Sequence, residues 1–178
     1  MKTQIKKIRS GGQTGVDRGA LDAARAVGIP IVGWCPNGGL AEDYTIPPGL
    51  LFAYPELEET PSKNVNQRTE WNVRDSDATL IILDQDDPHS PGTLLTEQVA
   101  LALSKPLLIS RTNEIEKISA WIKSLASNVI LNIAGPRESE SPGIYQKVYS
   151  LICELFEVGV AGNVYTEVQK NPEGIYEP

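Results

Sequence analysis

Short apolar stretches punctuate this chain, bounded by Gly, Pro, Asp or Asn: Ile29 to Trp34, Ala78 to Leu83, Pro106 to Ser110 and Val129 to Ala134, preceded by Gln4 to Ser10, in which Ile5 and Ile8 stand among Lys6, Lys7 and Arg9. Continuous apolar runs of this length predict strands buried on both faces of a parallel sheet. Helical periods lie between them. In Thr14 to Val27 the apolar positions Val16, Ala20, Ala23 and Val27 follow i, i+4, i+7 and i+11, and Gly28 with Pro30 ends the pattern. Gln67 to Asp77, read as a helix, carries Arg68, Trp71 and Asp75 on one face, Glu70, Val73 and Asp77 on another, and a Glu70–Arg74 pair at i, i+4. A further helix starts after Gly92-Thr93. Asn113 and Glu116 have the spacing of a capping box ahead of the stripe Ile115, Ile118, Ile122 and Leu125. Ser141 and Pro142 open a last helix through Ile144, Val148, Leu151, Ile152 and Leu155. Strand and helix alternating in this way predict a single α/β domain, a doubly wound, mostly parallel sheet with helices on both faces. Pro36 to Lys63 is expected to be a long irregular insertion. The domain is expected over residues 1–158, with 159–178 a polar tail or arm.

Composition narrows the partners. With 178 residues, 40% of them hydrophobic and 22% charged, the chain can bury a core without staples. No run approaches the roughly 18 apolar residues of a membrane span, and Cys35 and Cys153 stand far apart without a CxxC pair. These features predict a soluble cytoplasmic protein in a reducing compartment, without a membrane partner. A net charge of -7 argues against a nucleic-acid surface. Any anion must be caught locally.

The candidate chemistry lies in the loops. Ser10 to Gly19 reads SGGQTGVDRG and joins a strand to a helix, so its glycines permit close backbone approach while the helix start offers N–H groups to an anion. Gly11, Gly12, Gln13, Thr14, Gly15, Asp17 and Arg18 are therefore candidate ligand contacts, with a hydroxyl donor in Thr14 and a forked charge in Arg18. Asp84 to Thr93 is a second loop, leading into the helix that carries Glu97 and offering Gly92, Thr93 and Thr96 as ligand contacts; its acidic residues are expected to be solvated and to bind no metal, and His89 to be incidental. Gly135 to Ser139 is a third, offering Gly135 and Arg137. Strand-end loops of one sheet share a pocket, so the three are expected to converge on a phosphorylated small molecule.

The tracts SGGQTGVDRGALDAA at Ser10 to Ala24, GWCP at Gly33 to Pro36, AEDY at Ala41 to Tyr44 and RTEWNVRDSDATLII at Arg68 to Ile82 resemble a superfamily of Rossmann-like nucleotide-binding proteins. That superfamily includes the Lonely Guy phosphoribohydrolases and the DNA-processing Smf proteins. Within it the chain is more similar to the molybdenum carrier branch, related to the molybdenum-cofactor carrier proteins of algae. The resemblance implies a Rossmann-like fold, a pocket for a phosphorylated nucleotide-like or pterin-like ligand with molybdenum cofactor as cargo, and a homo-oligomer. It adds Arg68 to the candidate contacts, because Arg68 and Asp77-Ala78 match the hydrolases' arginine helix. Their catalytic glutamate corresponds to Thr96 here, and Glu97 comes one step late; one step turns a side chain by about 100° on a helix. The tract after GWCP, Asn37-Gly38-Gly39, lacks the branch's basic residues, and Pro91 precedes Gly92-Thr93 where the branch has glycine. Binding or carriage is thus the leading reading. The alternative is a nucleoside-monophosphate phosphoribohydrolase working through Arg68, Glu97 and Asp84.

Overall fold

The computed structural model describes residues 4–84 and 90–156; the tail expected over 159–178, and His89 with its acidic neighbours at 86 and 87, lie outside them. Strands β1 (Ile5–Arg9), β2 (Ile31–Cys35), β3 (Leu57–Glu59), β4 (Ala78–Leu83), β5 (Leu107–Arg111) and β6 (Val129–Ala134) form one sheet in the order β3-β2-β1-β6-β4-β5. Every pairing is parallel. The helices are α1 (Val16–Ala26), α2 (Val65–Arg74), α3 (Pro91–Ala102), α4 (Ile115–Ser124) and α5 (Ile144–Phe156). α5 packs on α1 and touches α4, while α2 packs on α3. Right-handed crossovers separate these two groups onto opposite faces, so the doubly wound Rossmann-like architecture is present.

Burial explains the pattern of runs. All six residues of β4 are buried, as a central strand covered on both faces requires. Ile8, Val16, Leu80, Ile82, Leu131, Ile133, Val148 and Ile152 form the core around it. β5, at the sheet's edge, buries only Ser110 fully.

Strand order contains one departure from simple winding. β6, last in sequence, is inserted between β1 and β4. Were the chain to begin at β6, its strands would run outward as β6, β1, β2, β3 on one side and β4, β5 on the other. The connections leaving β1 and β4 head in opposite directions, so their carboxyl ends flank a crevice with β6 at its floor.

Several local expectations are corrected. The insertion Pro36 to Lys63 holds a 3-10 turn, Gly49–Phe52, and the edge strand β3, in which only Leu57 is buried; three residues are too few to show a period. α1 begins at Val16 rather than Thr14, and α2 at Val65, where the Asn64 side chain accepts from the Asn66 N–H at 3.0 Å. Arg74 pairs with Asp75 at 2.7 Å and lies over Trp71 instead of meeting Glu70. The residue at the α4 N-cap is Glu114, not Asn113, and it makes no side-chain cap bond; its carboxylate turns back to accept from the Ser110 hydroxyl and the Arg111 N–H, 2.8 and 2.9 Å away. α5 starts at Ile144, whose N–H is held by the Ser141 carbonyl.

Candidate functional site

The loops after β1 and β6 meet the start of α3 at the crevice, and the first of them is shaped by its own neighbours. Ser10 is buried and donates to the Ile133 carbonyl at 2.7 Å, tying the end of β1 to β6. At Gly11 a Cβ would stand 1.9 Å from Arg68 Nη1, so only glycine lets the guanidinium lie across the backbone. Gly15 has φ +77°, and a Cβ there would meet Pro136 O at 2.5 Å and Glu138 N at 2.6 Å. The third loop rests directly on the first; Val16 N–H donates to Pro136 O at 3.2 Å.

Arg68 reaches this loop because of how α2 is docked. Asn72, four residues on and therefore on the same helix face, donates to the Trp34 carbonyl and accepts from the Trp34 N–H, each at 2.8 Å. The Trp34 and Trp71 rings meet edge to face at 4.9 Å. So held, Arg68 donates through Nη1 to Asp17 Oδ2 at 2.8 Å, with side-chain exposures of 15% and 5%. Its Nε–H is buried and finds no partner among the described residues. A buried donor left unpaired costs about 1 to 3 kcal/mol, so this group is suited to an acceptor from outside the chain.

Arg68 lines a narrow cleft of about 50 Å³ with Gln13, Asp17, Ser90, Gly92, Thr96, Gly135, Arg137 and Glu140. Its roof is the start of α3. Ser90 caps that helix, and Thr93 is tied to Ser90 through N–H and hydroxyl at 3.4 and 3.1 Å. Gly92 is exposed, and a Cβ on it would meet nothing within 4 Å. Thr96 lines the cleft and donates to the Gly92 carbonyl at 2.9 Å. Both carboxylates in the cleft are committed: Asp17 to Arg68, and Glu140 to the Arg137 N–H at 3.0 Å.

Not every candidate faces this cleft. Arg18 points to the other side of the loop, into an open groove of about 370 Å³ shared with Thr14, Gly15, Asp22, Asp43, Tyr54, Glu138 and Tyr145. Its guanidinium is bonded to the Gly12 carbonyl at 2.9 and 3.2 Å and to both Asp43 oxygens at 2.9 and 3.1 Å. The Tyr44 and Tyr54 rings lie 5.3 Å from it. Tyr54 and Tyr145 both donate to Asp22, at 2.6 and 2.9 Å, and burial together with that carboxylate pushes the Tyr145 phenol up to about 12. The Thr14 hydroxyl donates to Glu42. Asp84 is bonded by Lys147 and, at 3.3 Å, by the Thr112 hydroxyl. Glu97 is half-buried and is not among the residues lining the cleft.

Sequence reasoning overlooked the insertion's part in the site. Glu42 accepts from the Thr14 and Ser139 hydroxyls, has Arg137 Nη1 at 4.0 Å, and donates its N–H to Gln13 Oε1 at 2.8 Å. The Ser139 hydroxyl first, then the Thr14 hydroxyl, with the Arg137 charge adding less, hold the Glu42 carboxyl below its ordinary range. The only signal was the AEDY tract, which has no periodicity to say what it touches.

Among the described residues no helix is long and apolar enough to cross a membrane, and no cluster of His, Cys, Asp and Glu could hold a metal. No functionally curated protein is similar in sequence to this chain. A crystal structure named "Putative molybdenum carrier protein", from Syntrophus aciditrophicus SB, is 41% identical, with a TM-score of 0.75 over 88% of this chain and 97% of that one. The model of the circularly permutated YpsA SLOG family matches residues 8–156. Permutation is what the inserted last strand displays, since moving β6 and α5 ahead of β1 restores an outward-wound sheet. By sequence match, solved relative and strand order alike, the chain belongs to the circularly permutated YpsA SLOG family.

Proposed function

We propose that this protein binds and carries a phosphorylated small molecule, molybdenum cofactor or a nucleotide-like compound, with the phosphate in the cleft between Arg68 and the start of α3. The observation that carries this reading is the Arg68 guanidinium, laid across Gly11 with its Nε–H buried and without a partner among the described residues. Arg137 adds a second positive charge, and the α3 N-terminus adds a favourable dipole. A cleft of about 50 Å³ seats only the phosphate end. The rest of the ligand extends past Gly92 and Asn66, both exposed. The name of the solved relative supports the same cargo. Binding is favoured over hydrolysis because Thr96 lines the cleft and Glu97 does not.

Two partners of this reading are proposed with it. The protein acts in the cytoplasm, where its free cysteines stay reduced. It also self-associates through α3, whose Leu94 and Leu101 are 40% and 61% exposed beside Leu103 at 45%. Sedimentation of a Leu101→Glu variant as a smaller species than the parent is the expected result.

Mass spectrometry of small molecules released from the natively purified protein tests the function. A phosphorylated compound should be retained by the parent chain and lost from Gly92→Val, which fills the cleft at a position where its own chain leaves room. Arg68→Lys should retain ten- to a hundredfold less, because lysine keeps the charge beside Asp17 and gives up the planar fork. Equal retention by all three proteins would sink the reading. Alanine at Arg68 is unsuitable, since it strands the buried Asp17 carboxylate.

A further inference from the structure

Glu42 is placed as an anion would be. Its two carboxylate oxygens accept hydrogen bonds from the hydroxyls of Thr14, from the loop after β1, and Ser139, from the loop after β6. The Arg137 guanidinium stands 4.0 Å from the oxygen that Ser139 binds. Two hydroxyl donors and one cation, contributed by two different loops, converge on a single oxyanion. Thr14 Oγ1 is itself polarised as a donor, because it lies 3.4 Å from the Glu138 N–H as an acceptor. The neighbouring carboxylates are already taken. Asp43 is held by Arg18, Glu138 accepts from the Gly143 and Tyr145 N–H groups at 2.5 and 3.0 Å, and Glu140 accepts from the Arg137 N–H. With Glu42 swung out, the groups left facing this point are two hydroxyls and a guanidinium.

The insertion can release Glu42 without coming away. Its seating on the first loop also rests on the two-pronged Arg18–Asp43 bond and on the Glu42 N–H to Gln13, neither of which involves the carboxylate. Glu42 is 28% exposed, so the side chain has water to move into. Its partners border both cavities: Arg137 lines the narrow cleft, and Thr14 lines the open groove.

We propose that the point now filled by the Glu42 carboxylate is a second oxyanion site, made by Thr14, Ser139 and Arg137, which a phosphate or similar tetrahedral oxyanion of a ligand takes over by displacing Glu42. The inference extends the binding reading to a second anionic group on the same ligand, and it commits the ligand class to compounds with two separated oxyanions or a diphosphate. Glu42 serves as the internal stand-in that keeps the donors ordered.

Calorimetric titration of the full chain with inorganic phosphate tests this. The parent should bind one phosphate per chain, at the Arg68 end. Glu42→Ala and Glu42→Gln should each bind one more, or bind the first at least tenfold tighter, and adding Ser139→Ala should abolish that gain. Two Glu42 variants are read together because glutamine preserves the insertion's seating, whereas alanine leaves no group to hold the hydroxyls. Unchanged stoichiometry and affinity in both would overturn the second site while leaving the Arg68 cleft standing. A parent that binds none, beside Glu42 variants that bind one lost again with Ser139→Ala, would uphold the second site and overturn the Arg68 reading.

Discussion

Two strand-to-helix joins at one sheet edge carry glycine, and the chain uses them differently. In the loop after β1, Gly11 makes room for Arg68 and Gly15 for the backbone of Pro136 to Glu138, the latter at a φ that side chains rarely adopt. At the start of α3, Gly92 has an ordinary backbone and open space where its Cβ would be. The first loop needs its glycines in order to fold. Among the described residues the second gains nothing from having one, so its small size is room for something else. The two arginines that bear on the first loop, Arg18 from α1 and Arg68 from α2, divide in the same way. Arg18 is bonded to Asp43 and Gly12 and flanked by two tyrosine rings, whereas Arg68 keeps a buried N–H that no described residue pairs. Glycines and cations in a loop thus mean a ligand only where the chain's own atoms leave them unspent.

Four experiments press on that contrast, beginning with the largest effect. Gly15→Ala combines left-handed backbone with sub-van-der-Waals approach to Pro136 O, and should lose about 3 kcal/mol of stability in chemical denaturation; a loss under ~1 kcal/mol would mean that the third loop yields easily. Arg18→Ala should lose about 2 kcal/mol, because Arg18 is 12% exposed but Asp43 is 45% exposed and its bonds are screened. Arg18→Lys should recover little, since an ammonium cannot span Gly12 and both Asp43 oxygens. Parity between Arg18→Ala and the parent would remove the distinction between the two arginines.

The third experiment uses acid. Arg18 holds the Asp43 carboxyl below its ordinary range, and the Ser139 and Thr14 hydroxyls do the same to Glu42. A folded-state pKa below the unfolded one contributes stability that is present above the ordinary carboxylate pKa and lost as pH falls through the lowered value. The insertion should therefore stay seated at pH 6 and loosen below about pH 4, seen as faster amide exchange at 41–44 than in β4. Equal protection of the two segments at pH 3 would contradict the assignment. Last and smallest is Gly92→Ala, which should change stability by less than about 1 kcal/mol, in the stabilising direction, because alanine is the better helix residue and meets nothing. Clear destabilisation would place Gly92 with Gly15, among glycines the fold requires.

The strands, the main helices and the order of layers were legible in the sequence, because burial on two faces writes a continuous apolar run such as Ala78 to Leu83 and burial on one face writes a 3.6-residue stripe such as Val16 to Val27. The resemblance carried by SGGQTGVDRG and RTEWNVRDSDATLII led to the family that the comparisons show. Those signals are local: each is a relation among residues within one element. Strand order was not legible, since nothing in Val129 to Ala134 says that it lies between β1 and β4. The division of labour between Arg18 and Arg68 was equally hidden. Only tertiary contact decides whether a guanidinium meets Asp43 and Gly12 or retains a buried N–H, and only tertiary contact brings Glu42, 28 residues beyond Thr14 and 97 before Ser139, between their hydroxyls. A carboxylate's partners across such separations leave no period in the chain, because hydrogen bonding constrains where atoms meet in space and not how far apart their residues stand in sequence.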